Sequence, residues 1–310
     1  ESAQREAQSA FGSSKVFLEK YLDKAKHIEF QIFGDCTGRV IHLMDRECSV
    51  QRRHQKIIEE AVSVSLTPEL RRKMGEAACT IAEHAGYESA GTVEFLLQDD
   101  KYYLLEVNTR LQVEHPVTEM VMGVDLVKAQ LLTAQGQAVF TDLQHIAPRG
   151  HSIECRIYAE NPYLGGVPST GLLGKVEWPE GPGRRFEYGF EEGDEVTSYY
   201  DPMIAKVIVW DETRLRAIQK MQLVLKQSVV FGVHTNIPYL LKILEHHEFV
   251  KGTMTTRFID TYFSEALPKP ELSPEEKSFA EKQKKILSQR NVSVGMSQDY
   301  NPWKQYWRGV

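Results

Sequence analysis

Residues 92–120 read TVEFLLQDDKYYLLEVNTRLQVEHPVTEM, and they carry more structural information than any other stretch of the chain. Two apolar runs, Thr92–Leu97 and Tyr102–Val107, lie on either side of the polar residues Asp99–Lys101. β-Branched and aromatic residues on both sides of a short polar turn are typical of an antiparallel β-hairpin. The stretch therefore predicts two strands that pair directly with each other.

The register of this hairpin decides where two carboxylates lie. If Asp99–Lys101 is a three-residue loop, Glu94 falls directly opposite Glu106, and facing side chains are about 5 Å apart. Like charges at that distance are destabilising, and a hard cation is the simplest reason to place two carboxylates there. A two-residue loop would instead pair Glu94 with Leu105 and turn Glu106 to the other face, so the metal hypothesis depends on the register.

From Glu106 onwards, every second residue is polar, and in an extended chain alternate residues share one face. They are Glu106, Asn108, Arg110, Gln112 and Glu114, and they alternate with Val107, Thr109, Leu111 and Val113. If the chain became helical after Asn108, Arg110 and Glu114 would still be neighbours, four residues apart. Either arrangement collects carboxylates, amides and a guanidinium on one surface. This favours a binding site over a solvated edge strand with surface ion pairs.

Composition indicates a soluble globular protein that is large enough for two domains. The chain has 310 residues, of which 42% are hydrophobic and 26% charged, and its net charge is −6. This charge disfavours nucleic acid as a partner. No apolar run approaches the roughly 18 residues that would span a membrane, and the first residues lack the pattern of a secretory signal.

The four cysteines lie at positions 36, 48, 79 and 155. No two of them have CxxC spacing and no histidine cluster accompanies them, which disfavours a zinc site. We interpret them as free thiols in a reducing compartment, either the cytoplasm or, in a eukaryote, the mitochondrial matrix.

Periodicity and turn residues divide the first half of the chain into helices and strands. The first fifteen residues predict the end of a helix, and Val16–Lys20 predicts a short strand. Thr67 and Pro68 form the N-terminal signature of a helix that runs to about His84. A second hairpin is predicted from Ile28–Phe33 and Val40–Met44, and an amphipathic segment from Val117–Gln135.

The second half of the chain contains short strands and many glycines, which predicts an antiparallel, β-rich domain. Its boundary is predicted at Pro148–Gly150. The predicted strands are Ser152–Tyr158, Leu172–Trp178, Arg185–Tyr188 and Ala205–Trp210, and the predicted helices are Thr213–Gln227, Asn236–His246 and a charged helix over residues 273–289. The last ten residues carry two tryptophans and a tyrosine, and they either dock on a surface or are disordered.

Two basic residues are further candidates for function. Lys56 ends the run CSVQRRHQK, and such a basic cluster suits a small oxyanion or a phosphate, although a solvated basic loop has the same composition. Arg156 alternates with the apolar residues of IECRIYAE, and such a strand arginine is either a structural ion pair or a functional group.

Four segments together resemble biotin carboxylase, the ATP-grasp enzyme of biotin-dependent carboxylases. They are SVQRRHQKIIEEA at 49–61, EVNTRLQVEHPVTE at 106–119, ECRIYAE at 154–160 and YYDPMIAK at 199–206. The resemblance covers residues 15–263. The phrases GGVPSTG and YYDPMIAKVIVW are most similar to the biotin carboxylase part of acetyl-, propionyl- or methylcrotonyl-CoA carboxylases.

The resemblance implies an α+β fold with two domains. Residues 1–147 would form the second half of an ATP-grasp domain, with the end of its lid at residues 1–22. Residues 148–263 would form an antiparallel, β-rich biotin carboxylase C-terminal domain with helices. Residues 264–310 would form a charged helix and an aromatic tail.

The resemblance also implies a reaction. ATP would activate bicarbonate as carboxyphosphate, and the CO2 released from it would carboxylate N1 of biotin, the substrate carried on a separate domain. Positioning and charge neutralisation supply most of the acceleration in such a phosphoryl transfer.

The residues that match the family's motifs have different implied roles. Glu94, Glu106 and Asn108 match ligands of Mg2+ or Mn2+ at two sites; Lys56 matches a residue beside the transferred phosphate and bicarbonate; Arg110, Gln112 and Val113 match the bicarbonate cradle; Glu114 matches the base that deprotonates bicarbonate; Arg156 matches the arginine that stabilises the biotin enolate; and Glu19, Lys20, Leu22 and His27 match the adenine and ribose segment.

Family members also have an N-terminal nucleotide-binding-like domain and a glycine-rich lid over the phosphates, and this sequence contains neither. The chain is therefore expected to be the C-terminal half of such an enzyme and to be inactive alone. The implied partners are a biotin carboxyl carrier domain, a carboxyltransferase subunit or domain, and a second copy bound through the C-terminal domain. The alternatives are a non-catalytic dimerisation fragment and another ATP-grasp ligase, which RLQVEH and ECRIYAE disfavour.

Overall fold

The structure of the protein is a computed structural model. It describes residues 1–141, 147–269 and six residues between 274 and 285. The chain divides into two compact units, Glu1–Ala266 and Leu267–Val310. The aromatic tail and most of the predicted helix over 273–289 lie outside the described residues.

Most of the long strands of the first unit join into one antiparallel sheet. In chain order the strands are β1 (Lys26–Gly34), β2 (Val40–Arg52), β3 (Gln55–Ala61), β4 (Ser89–Gln98), β5 (Lys101–Asn108), β6 (His151–Tyr158), β7 (Glu160–Asn161), β8 (Val167–Pro168), β9 (Gly171–Leu172), β10 (Lys175–Glu177), β11 (Arg184–Tyr188), β12 (Glu195–Val196), β13 (Met203–Asp211) and β14 (Val229–Phe231). Eight of them form a sheet in the order β11-β13-β6-β3-β2-β1-β4-β5. All neighbours in this sheet are antiparallel. The predicted α+β class is confirmed.

The helices of the first unit are α1 (Ser2–Phe11), α2 (Pro68–His84), α3 (His115–Met122), α4 (Leu126–Ala134), α5 (Arg214–Gln227), α6 (Ile237–Glu245), α7 (His247–Lys251) and α8 (Phe258–Tyr262). α2 begins where the sequence predicts, because Thr67 Oγ1 accepts the backbone N–H of Leu70 at 3.2 Å. The predicted segment Val117–Gln135 is instead two helices, since Gly123 at φ 66° ends α3 and Asp125 caps α4. None of the described helices has the length and apolar character needed to cross a membrane.

Two further segments differ from the sequence predictions. Val16–Lys20 is not a strand, because a strand needs a hydrogen-bonded neighbour and none of the described strands pairs with it. Its residues Phe17 and Leu18 are exposed. The strand predicted at Val40–Met44 is longer, since β2 continues to Arg52 and forms a hairpin with β3.

The predicted domain boundary at residues 147–148 lies between α4 and β6, inside the first unit. β6 pairs with β3 on one side and with β13 on the other. The central sheet therefore contains strands from both predicted domains. The division into two domains stays a prediction.

The two faces of β1 and β4 have opposite chemical character. Ile28, Phe30 and Ile32 alternate along β1 and belong to the apolar cluster beneath α2. Phe33, on the other parity, belongs to a second cluster with residues of α3 and α4. Because alternate residues of a strand share a face, residues 27, 29 and 31 point to the α3 side of the sheet.

Candidate active site

The hairpin of β4 and β5 places Glu94 directly opposite Glu106, as the first of the two predicted registers requires. The turn is nevertheless the two-residue alternative, Asp99–Asp100, with φ of 53° and 58°. Two positive φ angles match the twist of the flanking strands. The register then shifts by one between Phe95 and Glu94, which makes Leu105 an extra residue. This β-bulge returns both carboxylates to one face.

Glu94 accepts hydrogen bonds from several sides of the site. Its Oε1 accepts from Gln112 Nε2 at 2.7 Å and from Asn108 Nδ2 at 3.0 Å, and its Oε2 lies 2.8 Å from His27 Nε2. Burial acts to raise the pKa of Glu94, but the contact with His27 and the charge of Lys56 hold this pKa well below its ordinary value. The carboxylate is therefore ionised and can act as a ligand or an ion-pair partner.

Lys56 joins three carboxylates at the centre of the site. Its Nζ donates to Glu29 Oε2 at 2.6 Å, to Glu94 Oε1 at 2.9 Å and to Glu114 Oε1 at 2.6 Å. Burial acts to lower the pKa of Lys56, but Glu29 and the other acidic neighbours raise it well above its ordinary value. The ammonium group therefore stays charged and is available to an anion that displaces one of these carboxylates.

The turn between β2 and β3 separates the members of the predicted basic cluster. Arg53 and His54 occupy this turn with φ of 52° and 63°. Lys56 and His54 line the cavity of the site, whereas Arg52 pairs with Glu160 and does not line it. The cluster therefore contributes two of its basic groups to the site.

Arg46 and Glu29 lie buried behind Lys56 and were not predicted as site residues from the sequence. Arg46 is fully buried, and its Nε donates to Glu29 Oε1 at 2.5 Å. Its guanidinium also donates to four neutral acceptors, which are Gln31 Oε1 at 2.6 Å, Thr92 Oγ1 at 3.0 Å, Thr118 Oγ1 at 3.1 Å and Gln112 Oε1 at 3.1 Å. Burial acts to raise the pKa of Glu29, but Lys56 and Arg46 lower it to about 2. In the sequence, the polar residues His27, Glu29 and Gln31 alternate with apolar ones along β1. The same alternation is equally typical of a strand with one face in solvent, so it does not identify Glu29 as a site residue.

Glu114 lies between two cations. Its Oε1 accepts from Lys56 Nζ at 2.6 Å and its Oε2 from an Arg156 terminal nitrogen at 3.0 Å. Arg156 Nε also donates to Glu59 Oε1 at 2.6 Å. Burial raises the pKa of Glu59 to about 7, because Arg156 offsets only part of the cost of burial. A carboxylate between two fixed cations suits a general base beside a bound anion.

Residues 109–114 form neither the extended strip nor the helix that the sequence suggested. Gln112 and Glu114 turn inward and are buried. Arg110 is exposed, and its guanidinium donates to the Leu111 carbonyl at 3.3 Å. The backbone carbonyl of Val113 accepts a hydrogen bond from Lys206 Nζ at 2.6 Å. The predicted single polar surface is therefore divided into buried and exposed groups.

Most of the predicted site residues line one cavity of about 450 Å3. They are His27, Lys56, Glu94, Glu106, Asn108, Arg110, Gln112, Val113, Glu114 and Arg156. Lys20 and Leu22 instead line an adjoining cavity of about 630 Å3, which shares His27 with the first. Glu19 is exposed in the segment before β1 and lines neither cavity.

The facing carboxylates fit a divalent cation. Asn108 Nδ2 donates to Glu94 Oε1 and to Glu106 Oε1, each at 3.0 Å, so two carboxylates and one side-chain amide meet at one place. Carboxylate and amide oxygens are the donors that Mg2+ and Mn2+ prefer. The donor set is therefore suited to a hard cation at the edge of the cavity.

Both halves of the chain are similar to known protein families. Residues 1–141 match the family model described as the ATP-binding domain of the carbamoyl-phosphate synthase L chain, and residues 154–261 match the biotin carboxylase C-terminal domain. A pyruvate carboxylase subunit of Methanothermobacter thermautotrophicus is 49% identical over 262 residues, which are 84% of this chain and 53% of that protein. The alpha subunit of the mitochondrial methylcrotonoyl-CoA carboxylase of Glycine max is 48% identical over 262 residues, which are 84% of this chain and 36% of that protein.

A solved structure shares the fold over most of the chain. It is the biotin carboxylase domain dimer of the Hydrogenobacter thermophilus 2-oxoglutarate carboxylase in complex with MgADP, ADP and bicarbonate. It is 44% identical, with a TM-score of 0.81, over 87% of this chain and 60% of that chain. The chain spans about half the length, or less, of the two curated relatives. The chain belongs to the biotin carboxylase family of ATP-grasp enzymes.

Proposed function

We propose that this chain supplies the bicarbonate and metal side of a biotin carboxylase active site. In that reaction ATP phosphorylates bicarbonate, and the CO2 released from carboxyphosphate adds to N1 of biotin on a carrier domain. The observation that carries the proposal is the position of Glu114 between Lys56 and Arg156 in one cavity. Such a base next to two cations can hold an anion and accept its proton.

The residues around Glu114 have proposed roles in this reaction. Arg110, Gln112 and the Val113 backbone hold bicarbonate, and Glu114 takes its proton. Lys56 neutralises charge on the transferred phosphoryl group, for which positioning and charge neutralisation supply most of the acceleration. Arg156 stabilises the negative charge that develops on the biotin ring.

A divalent cation, Mg2+ or Mn2+, would be held by Glu94, Glu106 and Asn108, with two cation positions in the complete site. When bound, it would neutralise the phosphate oxygens of ATP. The adenine and ribose would lie in the adjoining cavity, beside Lys20, Leu22 and His27. Glu19 belongs to the same proposed nucleotide segment, although its side chain is exposed.

The proposed partners follow from the family. They are a biotin carboxyl carrier domain, a carboxyltransferase subunit or domain of an acyl-CoA carboxylase, and a second copy bound through the C-terminal domain. The Hydrogenobacter thermophilus biotin carboxylase domain is a dimer, which supports the last of these. The four free cysteines support a reducing compartment, the cytoplasm or the mitochondrial matrix.

We further propose that the 310-residue chain is inactive alone. Large apolar side chains are exposed in the segment before β1 and on β5, and they are Phe17, Leu18, Tyr21, Leu104 and Leu105; Tyr21 and Leu105 line the adjoining cavity. An exposed apolar patch of this kind is typical of a surface that another segment or subunit covers. It also favours the second candidate function, a module that associates through this face without catalysis.

The test compares this chain with the longest natural polypeptide that contains it. Both are assayed for ATP hydrolysis that depends on bicarbonate and free biotin, and for binding of ATP. We expect activity in the long polypeptide and none in the chain alone, because closing a site over the phosphates excludes water and completes the catalytic groups. An inactive long polypeptide would contradict the proposed function, whereas a chain as active as the long polypeptide would contradict only the claim of incompleteness.

A further inference from the structure

Lys206 on β13 is buried between three strands and the segment that carries Glu114. Its Cα is the direct partner of Arg156 on β6 and of Glu187 on β11, so the three side chains form a row across the sheet. The side chain is about as buried as a core residue, with 8% exposed. Its Nζ donates to the Val113 carbonyl at 2.6 Å. Lys206 does not line the cavity of the site.

The contact with Val113 matters because that carbonyl belongs to the peptide bond between Val113 and Glu114. Residues 109–114 have no helix or strand that would fix this peptide. The local backbone bonds are long, since His115 N–H reaches Gln112 O and Val117 N–H reaches Glu114 O, each at 3.3 Å. A 2.6 Å bond from a charged donor is stronger than these. The bond from Lys206 is therefore the shortest of these three hydrogen bonds around the Val113–Glu114 peptide.

Two acids make this buried lysine possible. Glu187 Oε2 lies 2.6 Å from Lys206 Nζ, and Glu154 Oε2 lies 4.0 Å away on the other side. Glu187 is also held by Arg185, which in turn donates to Glu119 Oε2 at 2.6 Å. Glu119 is on α3, so the ion pairs that join Lys206, Glu187, Arg185 and Glu119 reach α3. Lys206 also binds the Val113 carbonyl, and the turn between residue 113 and α3 is therefore held at both ends. A buried cation needs such pairing to stay charged.

We propose that Lys206 is a positioning residue for the proposed biotin carboxylation, acting through the Val113–Glu114 peptide rather than on a substrate. This inference rests on the proposed function, because it deepens the role of Glu114. Loss of the lysine amine would let the peptide rotate and would move the Glu114 carboxylate away from the proton it accepts. The nucleotide side of the site, on β1 and the segment before it, would keep its geometry.

The experiment compares two matched lysine variants in the longest natural polypeptide that contains the chain. Lys220 is the control, because its Nζ also donates to a backbone carbonyl, Trp210 O at 2.7 Å, and pairs with an acid, Asp211, at 2.9 Å. Lys206→Met should lower kcat for biotin carboxylation about 100-fold, as a small misplacement of a catalytic group does. It should raise the KM for bicarbonate and leave the KM for ATP unchanged. Lys220→Met should change none of these.

Two further variants and a hydrogen-exchange measurement separate positioning from a structural role. Lys206→Met removes one of the two cations that pair with Glu187 and leaves Arg185, so the double variant Lys206→Met/Glu187→Gln tests the same peptide without the partly uncompensated carboxylate. Lys206→Arg keeps a charged donor and should restore part of kcat. Hydrogen exchange of residues 113–118 should rise in both Lys206→Met variants and stay at the wild-type rate in Lys220→Met.

The outcomes separate the two proposals. A wild-type polypeptide without biotin carboxylation contradicts the proposed function, while the exchange of residues 113–118 still tests the positioning role. Unchanged exchange and unchanged kcat in Lys206→Met would overturn the positioning role. Loss of folding in both Lys206→Met variants, or equal loss of activity in Lys220→Met, would assign Lys206 a structural role and would also overturn it.

Discussion

The two faces of strand β1 are equally buried and chemically opposite. Ile28, Phe30 and Ile32 lie against α2, and each is fully buried. On the other face, Glu29 and Gln31 are also fully buried, yet they are held by hydrogen bonds and ion pairs with Arg46 and Lys56.

The difference shows which face stabilises the fold and which face prepares the chemistry. Burial of apolar side chains is the dominant favourable contribution to folding, at roughly 25 cal/mol per Å2. Buried ion pairs contribute little net stability, because desolvation offsets much of the attraction between the charges. The polar face of β1 is therefore poorly explained as a source of stability. Its buried carboxylate, Glu29, instead holds Arg46 and Lys56 in fixed positions at the site.

The largest expected effect is on the polar side and concerns activity. In the longest natural polypeptide, Glu114→Gln should lower biotin carboxylation by about 10²–10⁴-fold, the usual contribution of a general base. Binding of ATP should persist, since the base acts on bicarbonate. Glu160→Gln is the control, because this buried acid pairs with Arg52 outside the cavity. An unchanged rate in Glu114→Gln would remove this residue from the mechanism.

The next effect is on the apolar side. Phe30→Ala should lower the free energy of unfolding by about 3–5 kcal/mol, because it leaves a cavity among fully buried rings. The ring of Phe30 makes edge-to-face contacts with His42 at 5.5 Å and Phe95 at 6.2 Å. Urea unfolding measures the change. Phe17→Ala, which removes a ring that is 82% exposed, should have almost no effect. Equal effects of the two variants would mean that α2 does not stabilise this face.

A smaller effect appears only as a dependence on pH. Burial raises the pKa of Glu59 from 4.5 to about 7. Between these values the folded protein retains a proton that the unfolded chain loses, so this group makes the free energy of unfolding fall as pH rises. The wild type should therefore lose stability relative to Glu59→Gln between pH 5 and pH 7, a range inside this window. Urea unfolding at both pH values measures the difference, and parallel pH profiles would contradict the raised pKa.

The smallest effect tests the hairpin itself. Glu106→Gln should weaken binding of Mn2+ by about tenfold, the lower end for changes around metal sites. Calorimetric titration of Mn2+ into wild type and variant measures it, with Glu76→Gln, an exposed acid of α2, as the charge control. Equal affinities, together with a gain of stability from removing one of the two facing charges, would show that the pair holds no cation.

The local part of the site could be predicted from the sequence. Of the two registers considered, the structure has the one that pairs Glu94 with Glu106, although the loop has two residues, because the bulge at Leu105 restores this pairing. A bulge depends on how a whole hairpin fits its neighbours, and it leaves no fixed residue pattern. Burial also depends on neighbouring elements. The alternation of polar and apolar residues along β1 therefore could not show that Glu29 and Gln31 are buried.

The sequence by itself determined the elements whose signals are local. Thr67 and Pro68 fixed the start of α2, and alternation fixed the hairpins, because caps and period depend on residues a few positions apart. Only the tertiary structure decided which charges meet. The pairing of β3 with β6 helps to bring together Lys56, Glu114 and Arg156, which lie in three separate parts of the chain. The same packing gives Arg46 and Lys206 their hydrogen-bond partners. Such contacts depend on the register between strands almost a hundred residues apart, which no local pattern specifies.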